Sequence, residues 1–183
     1  MFNHRIYLAK FLEDYKKGSF TNDSVARVDR VIDRHYQIIG VHHLTGEENR
    51  SKRNLFMDVV DTDGKRRNER IEWGWEGQKP SEHPNPVTLD KPAGEPAGNI
   101  SIDFGQKIWA RVLGESSDKV YNVTTQLSDE GQWNTLGHHS YYVVWLRVEG
   151  TVPPVPDLTG EYERGLRDGI ELVRRKVIKA LDS

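Results

Sequence analysis

The stretch that decides the fold covers residues 137–148 and reads GHHSYYVVWLRV. Side chains alternate between the two faces of a β-strand, so the stretch can be sorted with a period of two. One face takes His139, Tyr141, Val143 and Trp145, and the other takes Ser140, Tyr142, Val144, Leu146 and Val148. Both faces are largely apolar, which indicates a strand that is covered on both sides. Such a strand requires a layered β structure around it.

Most of the chain between residues 36 and 149 has the same character. Short runs rich in β-branched and aromatic residues alternate with turn residues, which is typical of strands. The predicted strands are 36–44, 54–61, 70–75, a short edge strand at 87–89, 99–104, 107–113 and 119–124, followed by the strand within 137–148. Asp63-Gly64 predicts a hairpin between the second and third strands, and Gly105-Gln106 predicts one between the fifth and sixth. We therefore predict a mainly β domain at 36–149, an antiparallel β-sandwich of immunoglobulin-like or jelly-roll type.

Residues 1–35 show helical spacing instead. One apolar stripe with steps of three and four residues is formed by Leu8, Phe11, Leu12 and Tyr15. Gly18 is expected to end this helix. Capping residues at 21–24 predict the start of a second helix, whose apolar positions are Val25, Val28, Val31 and Ile32. The sequence thus predicts an N-terminal helical segment that flanks the sandwich.

Residues 150–183 begin with a proline linker, TVPPVP at 151–156, which favours a stiff extended chain. A long amphipathic helix is predicted after it. Its apolar stripe consists of Leu158, Tyr162, Leu166, Ile170, Val173, Val177 and Leu181. This stripe predicts a surface for oligomerisation or docking, since such a helix either packs back on its own domain or pairs with another copy.

Composition excludes several classes of protein. The net charge is −2 at pH 7, so no overall field draws the molecule to nucleic acid or to an anionic membrane. No apolar run approaches the ~20 residues needed to span a bilayer. The first residues lack the apolar core of a secretory signal, and cysteine is absent, which excludes thiolate nucleophiles and cysteine-based zinc sites. We expect no nucleic-acid partner, no membrane insertion and no secretion signal.

Two histidine pairs are the main candidates for chemistry, His42-His43 on the first predicted strand and His138-His139 before the last. If these strands are neighbours, one imidazole of each pair could meet the other and bind a metal together with Glu47 or Glu48. The alternative is that the imidazoles form hydrogen bonds at strand ends. No nucleophile motif, phosphate loop or dinucleotide motif occurs, so the prediction is a protein without catalytic residues, metal or cofactor.

The five tryptophans suggest a second kind of site. Flat aromatic rings beside amides and carboxylates suit sugar rings, because the C–H face of a sugar stacks on an indole. Trp73, Trp75, Trp109 and Trp145 fit core positions, whereas Trp133 lies in a polar loop and is the exposed candidate. Stacking with nucleic acid requires basic residues among the aromatics, and the basic clusters at 50–53 and 65–67 lie apart from them.

Five motifs together resemble a small β-sandwich module found in bacteriophage genomes and beside bacterial lysozyme-like cell-wall proteins. They are GVHHLTGEENR at 40–50, NLFMDVVD at 54–61, WGW at 73–75, LDKPAGEPAGN at 89–99 and GHHSYYVV at 137–144. The likeness covers residues 36–149 and carries no catalytic residues over to this chain. It implies a non-catalytic virion-associated or wall-associated binding module.

From the residues and this resemblance we predict a bacteriophage structural or accessory protein, a capsid decoration or tail component, made in the host cytoplasm and carried in the virion. Its partners would be other virion proteins or further copies of itself. The alternative is a carbohydrate-binding module for cell-wall or surface glycan, and a histidine–metal hydrolase is the third hypothesis. The expected ligand-binding residues are Trp133, Asn134, His138, Glu47 and Arg50.

Overall fold

The structure, a computed structural model, describes residues 2–148. This part contains two α-helices, α1 (His4–Lys16) and α2 (Gly46–Asn49), and ten β-strands. The strands are β1 (Thr21–Asn22), β2 (Arg27–Asp29), β3 (Tyr36–His43), β4 (Asn54–Val60), β5 (Arg70–Trp75), β6 (Val87–Thr88), β7 (Gly98–Ser101), β8 (Lys107–Val112), β9 (Lys119–Thr124) and β10 (Tyr141–Arg147). The predicted mainly β character is confirmed. Neither helix of the described part is long and apolar enough to cross a bilayer.

The strands form two sheets of five. The first sheet has the order β1-β3-β10-β4-β7 and the second has the order β2-β9-β8-β5-β6. One hydrophobic cluster takes buried side chains from both, among them Leu55 and Trp145 of the first sheet and Ile108 and Val123 of the second. Two sheets that share one core are the arrangement expected of a β-sandwich.

Strand β10 lies between β3 and β4 at the centre of the first sheet. Tyr141, Val143 and Trp145 belong to the core shared with the second sheet. Tyr142 and Val144, on the other face, pack in a separate cluster that contains Phe11 of α1. The prediction of a strand covered on both faces is confirmed, since one face lies against a sheet and the other against a helix.

The prediction of a wholly antiparallel fold is wrong for the first sheet. β10 pairs in parallel with β4, and the short β1 pairs in parallel with β3. The arrangement follows from where β10 enters the sheet. It comes last in the described chain and lies between β3 and β4, antiparallel to one and parallel to the other.

Both predicted hairpins are also wrong, although their turns exist. After β4 the chain turns at Gly64, which has a φ of 79°, and Asp61 N donates to the Lys65 carbonyl at 2.9 Å. β4, however, belongs to the first sheet and β5 to the second. In the same way, β7 belongs to the first sheet and β8 to the second. A tight turn reverses the chain but does not decide which sheet receives the next strand. The predicted edge strand is confirmed as β6.

At the N-terminal end the first predicted helix is confirmed and the second is wrong. The Asn3 side chain caps α1 by accepting from Arg5 N at 3.2 Å, and Gly18 follows the helix with a φ of 73°. The segment predicted as a second helix instead contains the edge strands β1 and β2. β-branched residues suit strands, and Val28 packs against the core from the edge. The predicted proline linker and C-terminal helix lie outside the described residues, as does the apolar stripe from Leu158 to Leu181.

Candidate functional site

A groove of about 470 Å³ lies on the second sheet and contains aromatic side chains that sequence reasoning missed. In β8 the alternate residues Ile108, Ala110 and Val112 are buried in the core. Trp109 therefore points to the opposite face, where it is only partly buried and lines the groove. The expectation that Trp109 is a core residue is wrong. The signal was present in the sequence, because Trp109 alternates with those three apolar positions.

Gly74 explains why the Trp109 ring can approach the neighbouring strand closely. The two residues face each other across the antiparallel pair of β5 and β8. A β-carbon at position 74 would lie 2.8 Å from the Trp109 ring. The Gln78 side-chain oxygen lies closer still to that position, so the absence of a side chain at Gly74 leaves space that the indole and the Gln78 amide share.

The groove combines aromatic rings with charged and amide groups. Its lining consists of Trp75, Trp109, Tyr121, Arg27, Lys107, Lys119, Glu76 and Asn122. Asn122 has a φ of 57°, and its side-chain amide donates to the Val25 carbonyl at 2.9 Å, which ties β9 to the segment before β2. The strands of the second sheet thus hold the aromatic rings on a fixed surface.

The charges of this groove are largely paired. Lys107 Nζ lies 3.2 Å from a Glu76 carboxylate oxygen, and Lys119 Nζ lies 3.4 Å from that of Asp29. The basic clusters at 50–53 and 65–67 do not line this groove. Two other cations, Lys107 and Lys119, lie beside Trp109 and Tyr121. Because each lysine has a carboxylate partner, the groove offers hydrogen-bond donors and acceptors together rather than a purely cationic surface.

A second recess of about 620 Å³ lies between β5 and the loop 77–86. Trp73 and Trp75 line it with their rings 6.1 Å apart, and Trp73 Nε1 donates to the Asn85 carbonyl at 3.2 Å. Both rings also pack against the core cluster. The two tryptophans are therefore part core and part surface.

The histidine pairs lie at one end of the first sheet, where β3 and β10 are antiparallel neighbours. His42 faces α1 and has a carboxylate on each side of its ring. Nδ1 lies 2.7 Å from Asp23 Oδ2, and Nε2 lies 3.0 Å from Glu48 Oε2. The Tyr7 ring stacks on the imidazole at 3.8 Å, and its hydroxyl donates to Glu48 at 2.6 Å.

Burial alone would lower the pKa of His42, but its hydrogen bonds to Asp23 and Glu48 outweigh burial and raise the pKa. An imidazolium donates from both ring nitrogens, which is what two flanking carboxylates require. His42 thus fastens α1 and α2 to the first sheet. Here the interpretation of a histidine as a hydrogen-bonded strand-end residue is correct, and Glu48 is its partner.

His43 and His139 lie on the opposite face and contact each other directly. His43 Nε2 is 3.0 Å from His139 Nδ1, and the His43 ring stacks on Tyr141 with centroids 5.1 Å apart. Burial lowers the pKa of both imidazoles. Glu130, in the loop before β10, brings a carboxylate oxygen to 3.7 Å from His43 Nδ1. The expectation that one member of each pair would meet the other is confirmed, with Glu130 as the adjacent acid.

The residues predicted to bind ligand lie near these histidines. Asn49 Nδ2 donates to the His138 carbonyl at 2.6 Å, and Ser51 N donates to the Trp133 carbonyl at 3.1 Å, so the loops around 46–51 and 133–138 meet. Four of the predicted side chains are exposed, namely Trp133, His138, Glu47 and Arg50.

Asn134, the fifth predicted residue, is fully buried. Its amide donates to the Leu44 carbonyl at 2.7 Å and accepts from Asn49 Nδ2 at 2.8 Å. It therefore supports the loop and does not present an amide to a ligand. The polar loop sequence around it gave no sign that this one side chain points inward.

Comparisons with protein-family models, with curated proteins and with solved structures find no match for this chain. They consequently add no support to the resemblance to bacteriophage modules. The functional assignment therefore rests on the geometry of the aromatic groove and of the histidine cluster.

Proposed function

We propose that this protein is a non-catalytic binding module that recognises glycan through the groove on its second sheet. The observation that carries the proposal is the position of Trp109, whose ring lies beside Gly74 on the outer face of the sheet and lines the groove. A sugar presents a C–H face that stacks on such a ring, while its hydroxyl groups form hydrogen bonds around the edge.

The polar groups of the groove suit hydroxyl groups. Each sugar hydroxyl both donates and accepts, and the groove offers acceptors on Glu76 together with donors on Arg27 and Lys107. The volume of about 470 Å³ lies within the usual range for small-molecule sites, roughly 300–1,000 Å³. We infer that the groove accommodates a short segment of a glycan.

The pairing of charges disfavours a polyanion. Nucleic acid is bound chiefly through cations that are free to neutralise phosphates. Here Lys107 and Lys119 already have carboxylate partners that would repel a phosphate backbone, and Arg27 is the one lining cation without such a partner among the described residues. The reason to favour glycan over nucleic acid is thus that these lysines are paired. The separation of the basic clusters from the aromatics in the sequence is not the reason.

The role in a virion, as a capsid decoration or tail component, remains a prediction from the sequence resemblance. It is compatible with glycan binding, because an accessory protein of a particle can attach to surface glycan. We also propose that the two sheets form a sandwich of immunoglobulin-like or jelly-roll type.

A glycan array followed by titration calorimetry with the best ligand tests the proposal. Trp109→Ala should weaken binding about tenfold, which corresponds to 1.4 kcal/mol. Trp133→Ala is the matched control, since this ring is 41% exposed and lies outside the groove. Loss of binding in Trp133→Ala with normal binding in Trp109→Ala would overturn the assignment. Preferential binding of a single-stranded oligonucleotide, weakening steeply with salt, would replace glycan with nucleic acid.

A further inference from the structure

The cluster formed by His43, His139 and Glu130 lies apart from the groove and has no role in the proposed glycan binding. His43 ends β3 and is paired with Tyr141 of β10, and His139 precedes β10 by two residues. Val41 and Tyr141 on the same face are core residues. The two imidazoles therefore lie at the end of the core between the sheets, and the loop with Glu130 passes beside them.

We propose that His43, His139 and Glu130 bind a first-row transition-metal ion such as Zn²⁺. One ligand atom from each of the three side chains lies within 4.8 Å of the other two. Two imidazoles and one carboxylate are a ligand set typical of Zn²⁺ and Fe²⁺, whereas Mg²⁺ and Ca²⁺ prefer oxygen ligands alone. Three protein ligands leave a coordination position for water or for an exogenous ligand.

One of the two imidazole contacts has the spacing of a metal site. Ligands at 2.0–2.1 Å from a tetrahedral ion are about 3.3 Å from each other, and His43 Nε2 lies 3.0 Å from His139 Nδ1. Glu130 lies 3.7 Å from the other ring nitrogen of His43, Nδ1, and also accepts from the Asn134 amide at 3.3 Å. The half-exposed Glu130 carboxylate must therefore shift and give up the Asn134 bond to share an ion with the two imidazoles.

The surroundings of His139 differ from those of His42. His139 is fully buried, and beyond its contact with His43 its ring bonds to the Leu127 backbone and to no carboxylate of the described residues. Buried ring nitrogens are normally paired. His42, only one residue from His43 in sequence, shows the contrast, because carboxylates occupy both of its nitrogens. Two carboxylates thus satisfy His42, whereas His139 is held by neutral groups that a metal ion can replace.

Titration calorimetry of the full chain with ZnCl₂, after treatment with a chelator, tests the site. We expect one Zn²⁺ per chain. Replacing a residue that only hydrogen-bonds to a metal ligand weakens metal affinity about 10–100-fold, so removal of the ligand itself in Glu130→Gln should raise the Kd by at least about tenfold. Glu130 lies at the surface, and this variant is expected to fold. His138→Ala is the matched control, because His138 is exposed and adjacent to His139 but outside the cluster.

A second measurement reports on the metal ligands without replacing either buried histidine. Co²⁺ bound by the wild-type protein should show the visible absorption of a low-coordinate nitrogen–oxygen site, and Glu130→Gln should change that spectrum. Equal Zn²⁺ affinity in Glu130→Gln and wild type, or loss of binding in His138→Ala, would overturn the assignment. The absence of stoichiometric binding at micromolar Zn²⁺ would overturn it as well.

Discussion

The ring of Phe11 on α1 lies directly against Gly40 of β3, where a β-carbon would overlap the ring atoms. Phe11 is 1% exposed and belongs to the cluster on the helix side of the first sheet. The helix therefore approaches the sheet as closely as it does because position 40 has no side chain. The same approach brings Tyr7 into contact with His42.

We predict that Gly40→Ala destabilises the protein by about 1–3 kcal/mol, because an extra carbon in a well-packed core forces its neighbours to move. Urea unfolding followed by tryptophan fluorescence measures the change. Gly94→Ala is the control, since a β-carbon there meets open space, and its effect should stay within about 0.5 kcal/mol. Equal stability of the two variants would show that α1 can move away from β3 at no cost, so that the close contact between Phe11 and Gly40 does not stabilise the fold.

The buried carboxylate of Asp58 gives a second prediction. The Tyr142 hydroxyl donates to Asp58 Oδ2 at 2.6 Å, and the Arg66 guanidinium lies 2.8 Å from Oδ1. Tyr142→Phe should cost about 1.5–3 kcal/mol, the range for hydrogen bonds to charged groups. Tyr141→Phe, which loses a bond to the neutral Thr124 carbonyl, should cost less, about 0.5–1.5 kcal/mol. Chemical denaturation of both variants compares them, and a larger loss in Tyr141→Phe would contradict the assignment.

The sequence predicted the elements of this fold better than it predicted their pairing. Strand β10 was predictable because both of its faces are apolar, and α1 was predictable because one face carries its apolar residues. The edge strands β1 and β2 have only two and three residues, so local spacing could not distinguish them from a helix. Sheet membership depends on contacts between segments far apart in the chain, as when β10 enters between β3 and β4.

In the histidine cluster and the aromatic groove, too, some residues were predictable from the sequence and others were not. The contact between His43 and His139 was predictable from strand alternation, provided that their strands were neighbours. Glu130 was not predictable, because an irregular loop brings it there, whereas the acids named from the sequence were Glu47 and Glu48. Glu48 instead lies beside His42. In the sequence Trp109 fits the core pattern of its strand, although Ile108, Ala110 and Val112 already fill the inner face of β8.

His4 predicts a pH dependence of stability. Burial, with the nearby Arg66 and Arg5 cations, lowers the pKa of His4 despite the opposing Asp58 charge. In the folded state Nε2 lies 2.9 Å from Arg66 Nη2 and accepts its hydrogen bond, which requires the neutral ring. The unfolded chain then binds more protons, so this stability is present above the ordinary pKa of 6.5 and is lost as the pH falls below it.

The measurement is urea unfolding between about pH 7.5 and pH 5 for the wild type and for His4→Gln, a window that spans the ordinary histidine pKa. The Gln side chain has an oxygen that can accept from Arg66 at every pH. We expect the wild type to lose more stability on acidification than His4→Gln does. Because the other histidines are common to both proteins, the difference isolates His4. A parallel pH profile for the two proteins would contradict the prediction.

Asn134 should be essential for the loop that carries Glu130. Replacement by Ala leaves the buried Leu44 carbonyl without its partner, at a cost of about 1–3 kcal/mol, whereas the Asn49 amide keeps the Lys52 and His138 carbonyls as acceptors. We expect Asn134→Ala to lower the free energy of unfolding and to speed amide exchange in residues 44–51 and 129–138. Trp133→Ala, at the adjacent half-exposed position, should leave both quantities nearly unchanged. If amide exchange in Asn134→Ala matches that of the wild type, the loop is held by other contacts, and the position of Glu130 beside His43 does not depend on this buried amide.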